Sequence, residues 1–288
     1  MSYKIVVDSC CDLSEEMKGW SNLTVVPLTL QIGDYVVIDD ENFNQEDFIS
    51  RMVASNELAK SACPSPDAFA KAIEGDEDDV YVITITSKLS GCYNSALQGV
   101  ALYRDEHDDS RKRIHVFNSR ATSGLETLMA EKIKKLADSG MAFNEVVDTV
   151  EDYCVNGVGL YFCLESMDAL KGNGRLYNLA ASVIEALRVK LICRRTEEGN
   201  ISVAGKDLTI KRALGKLAGL IASETENSDL TEKKCYITEV CCVEKANEVK
   251  QRIKSACNYD ESNIIILKAS GLNSLYASNG GIIVSFEK

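Results

Sequence analysis

The feature that most constrains this chain is the alternation, through its first half, of short apolar β-branched runs with amphipathic stretches. Val80-Tyr81-Val82-Ile83-Thr84-Ile85-Thr86 is the clearest run, and residues 3–7, 24–31 and 113–117 are others. A short strand that is apolar along its whole length has no face to offer water, so it fits a sheet covered on both sides. Between these runs lie helical patterns at 45–54, 66–74, 91–103 and 122–138. The second follows Pro64-Ser65-Pro66, with Ser65 placed as N-cap and Pro66 at the first helical position. Strand, helix, strand, helix predicts an α/β layer fold whose N-terminal sheet is mainly parallel and flanked by helices.

The second half changes character. A helix over 144–155 leads to a strand over 158–164, and Lys171-Gly172-Asn173-Gly174-Arg175 reads as a turn. Residues 187–193 and 201–204 flank Glu197-Glu198-Gly199-Asn200, the pattern of an antiparallel hairpin with a Gly-containing loop. Helix 207–224, strand 234–242, helix 243–257 and strands 263–268 and 282–286 follow. The expectation is a second α/β domain with a mixed or antiparallel sheet, the boundary falling near 157: residues 1–157 and 158–288. The length of 288 residues agrees with roughly two domains. No linker rich in Pro, Gly or Ser separates them, so the two are expected to pack closely.

Charge narrows the function. Lys plus Arg total 32 against 44 Asp plus Glu, a net charge of −12. Nucleic-acid binding needs basic charge to displace counterions, and this balance argues against it. No stretch reaches the roughly 20 apolar residues that span a bilayer. The opening Met-Ser-Tyr-Lys-Ile-Val-Val-Asp has no leader pattern, so a cytoplasmic protein with reduced thiols is expected. That bears on the eleven cysteines. No Cys-x-x-Cys occurs and only His107 and His115 are present, a poor basis for a metal site. Most of the cysteines sit in apolar runs and read as packing residues. Adjacent pairs such as Cys10-Cys11 should point to opposite sides.

Four segments attract chemistry: Asp8-Ser9-Cys10-Cys11-Asp12-Leu13, Ser61-Ala62-Cys63-Pro64-Ser65-Pro66, Ser87-Lys88-Leu89-Ser90-Gly91-Cys92-Tyr93-Asn94-Ser95-Ala96, and Gly172-Asn173-Gly174-Arg175. The second and third put hydroxyl residues near helix starts, where free N–H groups and a partial positive charge favour an anion. Ser90 and the N–H of Gly91 can hold a carboxylate or phosphate, with Ser61 adding a hydroxyl. The plainer reading is helix capping. Nucleotide-binding loops and the Gly-x-Ser-x-Gly elbow are missing, and neither histidine makes a Ser-His or Cys-His pair.

In combination these segments resemble the DegV family of bacterial fatty-acid-binding proteins over nearly the whole length. Ile5-Val6-Val7-Asp8-Ser9 is similar to the family's opening strand and Asp-Ser turn, and Val25-Val26-Pro27-Leu28 to its second strand. Ser61-Ala62-Cys63-Pro64-Ser65 is similar to its Thr-Ser-Gln-Pro-Ser motif. Leu89-Ser90-Gly91-Cys92-Tyr93 is similar to Leu-Ser-Gly-Thr-Tyr, the most specific piece. Asn118-Ser119 with Ser123-Gly124, and Leu170 to Arg175, match later elements.

The resemblance implies a long-chain fatty acid in an apolar tunnel between the domains, and no other cofactor. Its carboxylate would rest on Ser61, Ser90 and Gly91, with Ala62, Cys63, Cys92 and Tyr276 near the head group. The protein itself would not be an enzyme, and a separate fatty-acid kinase would be its partner. Arg175, read as exposed, is the expected contact for that kinase. Side chains such as Leu97, Leu125, Leu160, Phe162 and Leu179 would shape the tunnel. Tyr276 stands where the family has a histidine, which bears on the kinase role more than on lipid binding. Cys63 replaces Gln and Cys92 replaces Thr. This leaves an alternative: an enzyme using a Cys63 or Cys92 thiolate, since thiol pKa values fall near helix starts.

Overall fold

The computed structural model describes residues 2–107, 111–179 and 189–288. Strands β1 (Tyr3–Asp8), β2 (Leu23–Val26), β6 (Asp79–Thr84) and β7 (Arg113–Asn118) form one sheet in the order β2-β1-β6-β7. All its pairings are parallel. Its two faces are covered separately, which is why β6 reads as apolar throughout. Val6, Val80, Val82 and Val116 pack against Phe69 and Ile73 of α2 (Pro66–Ile73) and Ala96 and Tyr103 of α3 (Cys92–Glu106). Ile5, Val7, Tyr81 and Ile83 face Leu128 and Met129 of α4 (Gly124–Asp138) and Val146 of α5 (Phe143–Asp152).

A six-stranded mixed sheet runs β10-β9-β8-β13-β11-β12. It contains β8 (Val158–Cys163), β9 (Lys190–Arg195), β10 (Ile201–Asp207), β11 (Cys235–Glu239), β12 (Ile264–Lys268) and β13 (Ile282–Glu287). Only β11–β12 pair in parallel. Residues 187 and 188 of the expected hairpin lie outside the described residues. The rest of that hairpin forms as anticipated, with Arg195 opposite Ile201 and Gly199 at φ +89° in the loop. After α6 (Asp168–Gly172), helices α7 (Ile210–Glu224) and α8 (Val243–Ala256) close one face of the sheet through Leu217, Ile221, Val249 and Ile253.

The other face turns toward the parallel sheet, with α4 between them. Leu160, Phe162, Tyr236 and Ile283 share one core with Leu125 and Leu128. A Cβ on Gly124 would lie 2.8 Å from the Tyr236 Cβ, so the start of α4 presses on β11 in a way only glycine permits.

Residues 24–31 do not form one strand. Pro27 has no N–H for a ladder, and the chain leaves the parallel sheet after Val26. It resumes as β3 (Thr29–Ile32) in a separate antiparallel sheet with β4 (Tyr35–Ile38) and β5 (Lys60–Ala62). Ser61, expected in a loop, therefore sits on β5. This small sheet packs with α1 (Gln45–Ala54) and α9 (Gly271–Ala277) through Leu30, Phe48, Leu272 and Leu275. Among the described residues no helix is long and apolar enough to cross a membrane.

Candidate functional site

A largely apolar cavity, about 810 Å³ including its mouth, is lined by the segments that follow β6 and β7, by β5, by the mixed sheet and by α9. Ile85 and Leu89 come from the segment that follows β6. Leu160, Phe162 and Ile283 come from the mixed sheet, and Leu272 and Ala277 from α9. Of the tunnel residues expected from sequence, Leu160 and Phe162 are in the wall. Leu97 is 43% exposed on α3 instead, and Leu125 is fully buried in the core. Leu179 packs against that core and is absent from the cavity wall.

Four of the expected site residues meet here: Ser61, Ser90, Arg175 and Tyr276. The Ser61 and Tyr276 hydroxyls are 3.3 Å apart, across the contact between β5 and α9. The Ser90 hydroxyl accepts the Cys92 N–H at 3.3 Å and donates to Cys92 Sγ at 3.1 Å, so it also serves the start of α3. Arg175 is half-buried, which corrects its reading as an exposed residue. Its guanidinium lies 5.7 Å from the Tyr276 ring centre and donates to the carbonyls of Leu89 and Asn173. Ser65 is the N-cap of α2, accepting the Ala68 N–H at 3.2 Å.

Ala62, Cys63, Gly91 and Cys92 lie outside the cavity wall. Cys63 is exposed, and a Cβ at Gly91 would be 3.2 Å from its Sγ. Cys92 is fully buried, and burial together with the Asp8 carboxylate pushes its thiol far above the usual range. This overturns the expectation of a lowered thiol there, because desolvation outweighs the helix start. Eight of the eleven cysteines are buried, in line with packing roles. Cys10 joins the core around the small sheet while Cys11 joins the central one, so the pair does point to opposite sides.

The Asp8–Asp12 segment does not touch the cavity. It wires the loops together: Asp8 accepts N–H groups from Cys10 and Ile85, while Asp12 accepts from Ser123, Asn273 and the Ser270 N–H. Asp39, near the end of β4, accepts the Gly271 and Leu272 N–H groups at 2.6 and 3.0 Å and fixes the start of α9. Through α9 it positions Tyr276. Burial pushes the Asp39 carboxyl up to about 6. Asp8, Cys10 and Glu126 bring potential metal-ligand atoms within 4.8 Å, all buried. Burial, then the charges of Asp8 and Asp12, push the Glu126 carboxyl well up, so the crowding of this group favours its protonated form.

Sequence reasoning missed Thr86, Arg120, Thr122, Arg195, Asn200 and Asn273, which also line the cavity. The Ser-Thr-rich strand ends and the Gly199-Asn200 loop carried a faint signal, and Arg195 carried none.

A model described as "Uncharacterised protein, DegV family" matches residues 2–287. The chain belongs to the DegV family. A DegV domain-containing protein of Streptococcus pneumoniae is 32% identical over 299 residues, spanning 100% of this chain and 99% of the relative. Among solved structures, a DegV protein of Ruminococcus gnavus refined with vaccenic acid is 37% identical at a TM-score of 0.91, covering 99% of both chains. The Fatty Acid Kinase (Fak) B3 protein of Streptococcus pneumoniae, loaded with linoleic acid, is 29% identical at a TM-score of 0.87, covering 100% of this chain and 99% of that one. The likeness to DegV proteins thus extends over nearly the whole chain.

Proposed function

We propose that this DegV protein binds one long-chain fatty acid in the apolar cavity, its carboxylate held by the hydroxyls of Ser61, Ser90 and Tyr276; the Gly91 N–H, expected to help, lies outside the wall. The observation that carries the reading is a hydrocarbon-lined cavity in which Ser61 and Tyr276 hydroxyls stand 3.3 Å apart beside the Arg175 guanidinium. Ten buried methylenes supply roughly 8 kcal/mol before ordering costs. The carboxylate then needs hydrogen bonds chiefly so that it is not buried unpaired. Fatty acids in the Ruminococcus gnavus and Streptococcus pneumoniae relatives support the same ligand class.

The protein acts as a carrier and a separate fatty-acid kinase does the chemistry; likeness to the Fatty Acid Kinase (Fak) B3 protein supports this. Arg175 belongs to the head-group wall in this reading and reaches a kinase only through the bound carboxylate. Residues 1–157 and 158–288 are taken as the two units that enclose the chain, each carrying one of the two main sheets. Denaturing the purified protein should release a long-chain fatty acid detectable by mass spectrometry. Ser90→Ala should weaken binding more than Ser65→Ala, because Ser65 only caps α2. Equal effects would mean that the head group sits elsewhere.

A further inference from the structure

We infer that the cavity takes an acyl chain bearing an oxygen acceptor away from its carboxylate, and that Arg195 is the residue that selects it. This rests on the fatty-acid reading above and specifies its ligand.

The cavity wall carries several polar groups. Most already have partners within the protein. Thr86 Oγ1 donates to the Gly199 carbonyl at 3.0 Å, and Thr122 Oγ1 to Asn273 Oδ1 at 2.8 Å. Asn200 Oδ1 accepts from the Tyr177 hydroxyl at 2.7 Å, and Arg120 lies 3.8 Å from Glu151. Arg195 differs. Its Nη2 is fixed by the carbonyls of Cys154 and Val158 at 2.6 and 2.8 Å, while its Nη1 is buried and has no acceptor. Glu224, the acid that most nearly faces it, already serves the Tyr161 hydroxyl at 2.6 Å, Arg194 and Lys288. Of the buried polar side-chain atoms without a partner among the described residues, this one alone belongs to a residue of the cavity wall.

Water does not reach this cationic donor, and a plain hydrocarbon tail beside it leaves it unmet, the costliest state for a buried polar group. A hydroxyl, an oxo group or a second carboxylate on the chain supplies the missing acceptor. A site with a buried donor then discriminates strongly against the analogue that lacks the matching oxygen. Arg120, whose charge is felt at Arg195, adds to the positive potential.

The test is displacement of a bound fluorescent polyene fatty acid from the full-length protein. Competitors are stearic acid, 10- and 12-hydroxystearic acids, 12-oxostearic acid and octadecanedioic acid. At least one oxygenated chain should bind about tenfold or more tightly than stearic acid, the scale of one hydrogen bond to a charged group. Arg195→Met should bring the oxygenated chains down to the affinity of stearic acid, and Arg195→Lys should retain part of the advantage. The ranking on the unsubstituted protein stands even if Arg195→Met fails to fold. Tight stearic acid binding with no oxygenated chain preferred, or a preference that survives in Arg195→Met, overturns the inference alone. Failure of every chain to bind overturns the fatty-acid reading with it.

Discussion

Glu126 is the residue whose environment departs furthest from the ordinary. It is fully buried near the start of α4, and neither carboxylate oxygen meets a donor. Burial, then the charges of Asp8 and Asp12, hold its carboxyl well above the usual range, so the folded chain keeps a proton there that the unfolded chain releases. Stability from this group is complete below the ordinary carboxyl pKa and is lost as the pH rises toward the folded value. Glu126→Gln cannot ionise and keeps the shape. Its urea midpoint should fall less between pH 5.5 and pH 8 than that of the unsubstituted protein; an unchanged fall would show that Glu126 is not the titrating group. Nothing in the sequence announced this, because burial is a property of the packed helix. Ser65 is the opposite case, since Pro-Ser-Pro before an apolar run fixes its capping role from sequence alone.

At the scale of elements, the strands and long helices of the parallel sheet were legible because their apolar periodicity is strong. The hairpin β9–β10 was legible through its Gly-containing loop. What escaped was short or held by distant partners. Helix α9 spans only Gly271–Ala277, and its start is fixed by Asp39, more than 200 residues away in sequence. A local pattern cannot reveal that contact, though Tyr276 and Asn273 reach the cavity because of it. Asp39→Ala leaves two N–H groups and the Ser9 hydroxyl without their acceptor. It should cost about 2 kcal/mol in urea unfolding at pH 5.5, the scale of hydrogen bonds lost from one acceptor. It should also weaken fatty-acid binding by displacing Tyr276. Loss of stability with unchanged affinity would separate α9 from the site.

For the whole molecule, the proposed function poses a puzzle: how a chain of net charge −12 would hold an anion. Asp12, Glu15, Glu16, Asp39, Asp40 and Glu41 line a separate cleft together with Lys18, Lys234 and Lys268, while the described residues of the apolar cavity include Arg120, Arg175 and Arg195 and no acid. Local cations therefore offset the global field where the ligand sits. The buried carboxyls Asp8, Asp12, Asp39 and Glu126 are all raised, chiefly by burial, and all favour the fold in their protonated form. Their contributions fade as pH rises through their folded values, about 6 for Asp39. The urea midpoint should accordingly rise as pH falls from 8 to 5.5, and a falling midpoint over that window would refute this charge assignment.

In the proposed function one fatty acid occupies the cavity, held through its serine and tyrosine hydroxyls. The most direct measurement is a titration of delipidated protein with a long-chain fatty acid, alongside Ser61→Ala and Tyr276→Phe. Saturation is expected at one acid per chain, with affinity lowered about fivefold to tenfold in each variant, the range for one lost hydrogen bond. Absence of saturable binding, or full affinity in both variants, would contradict it.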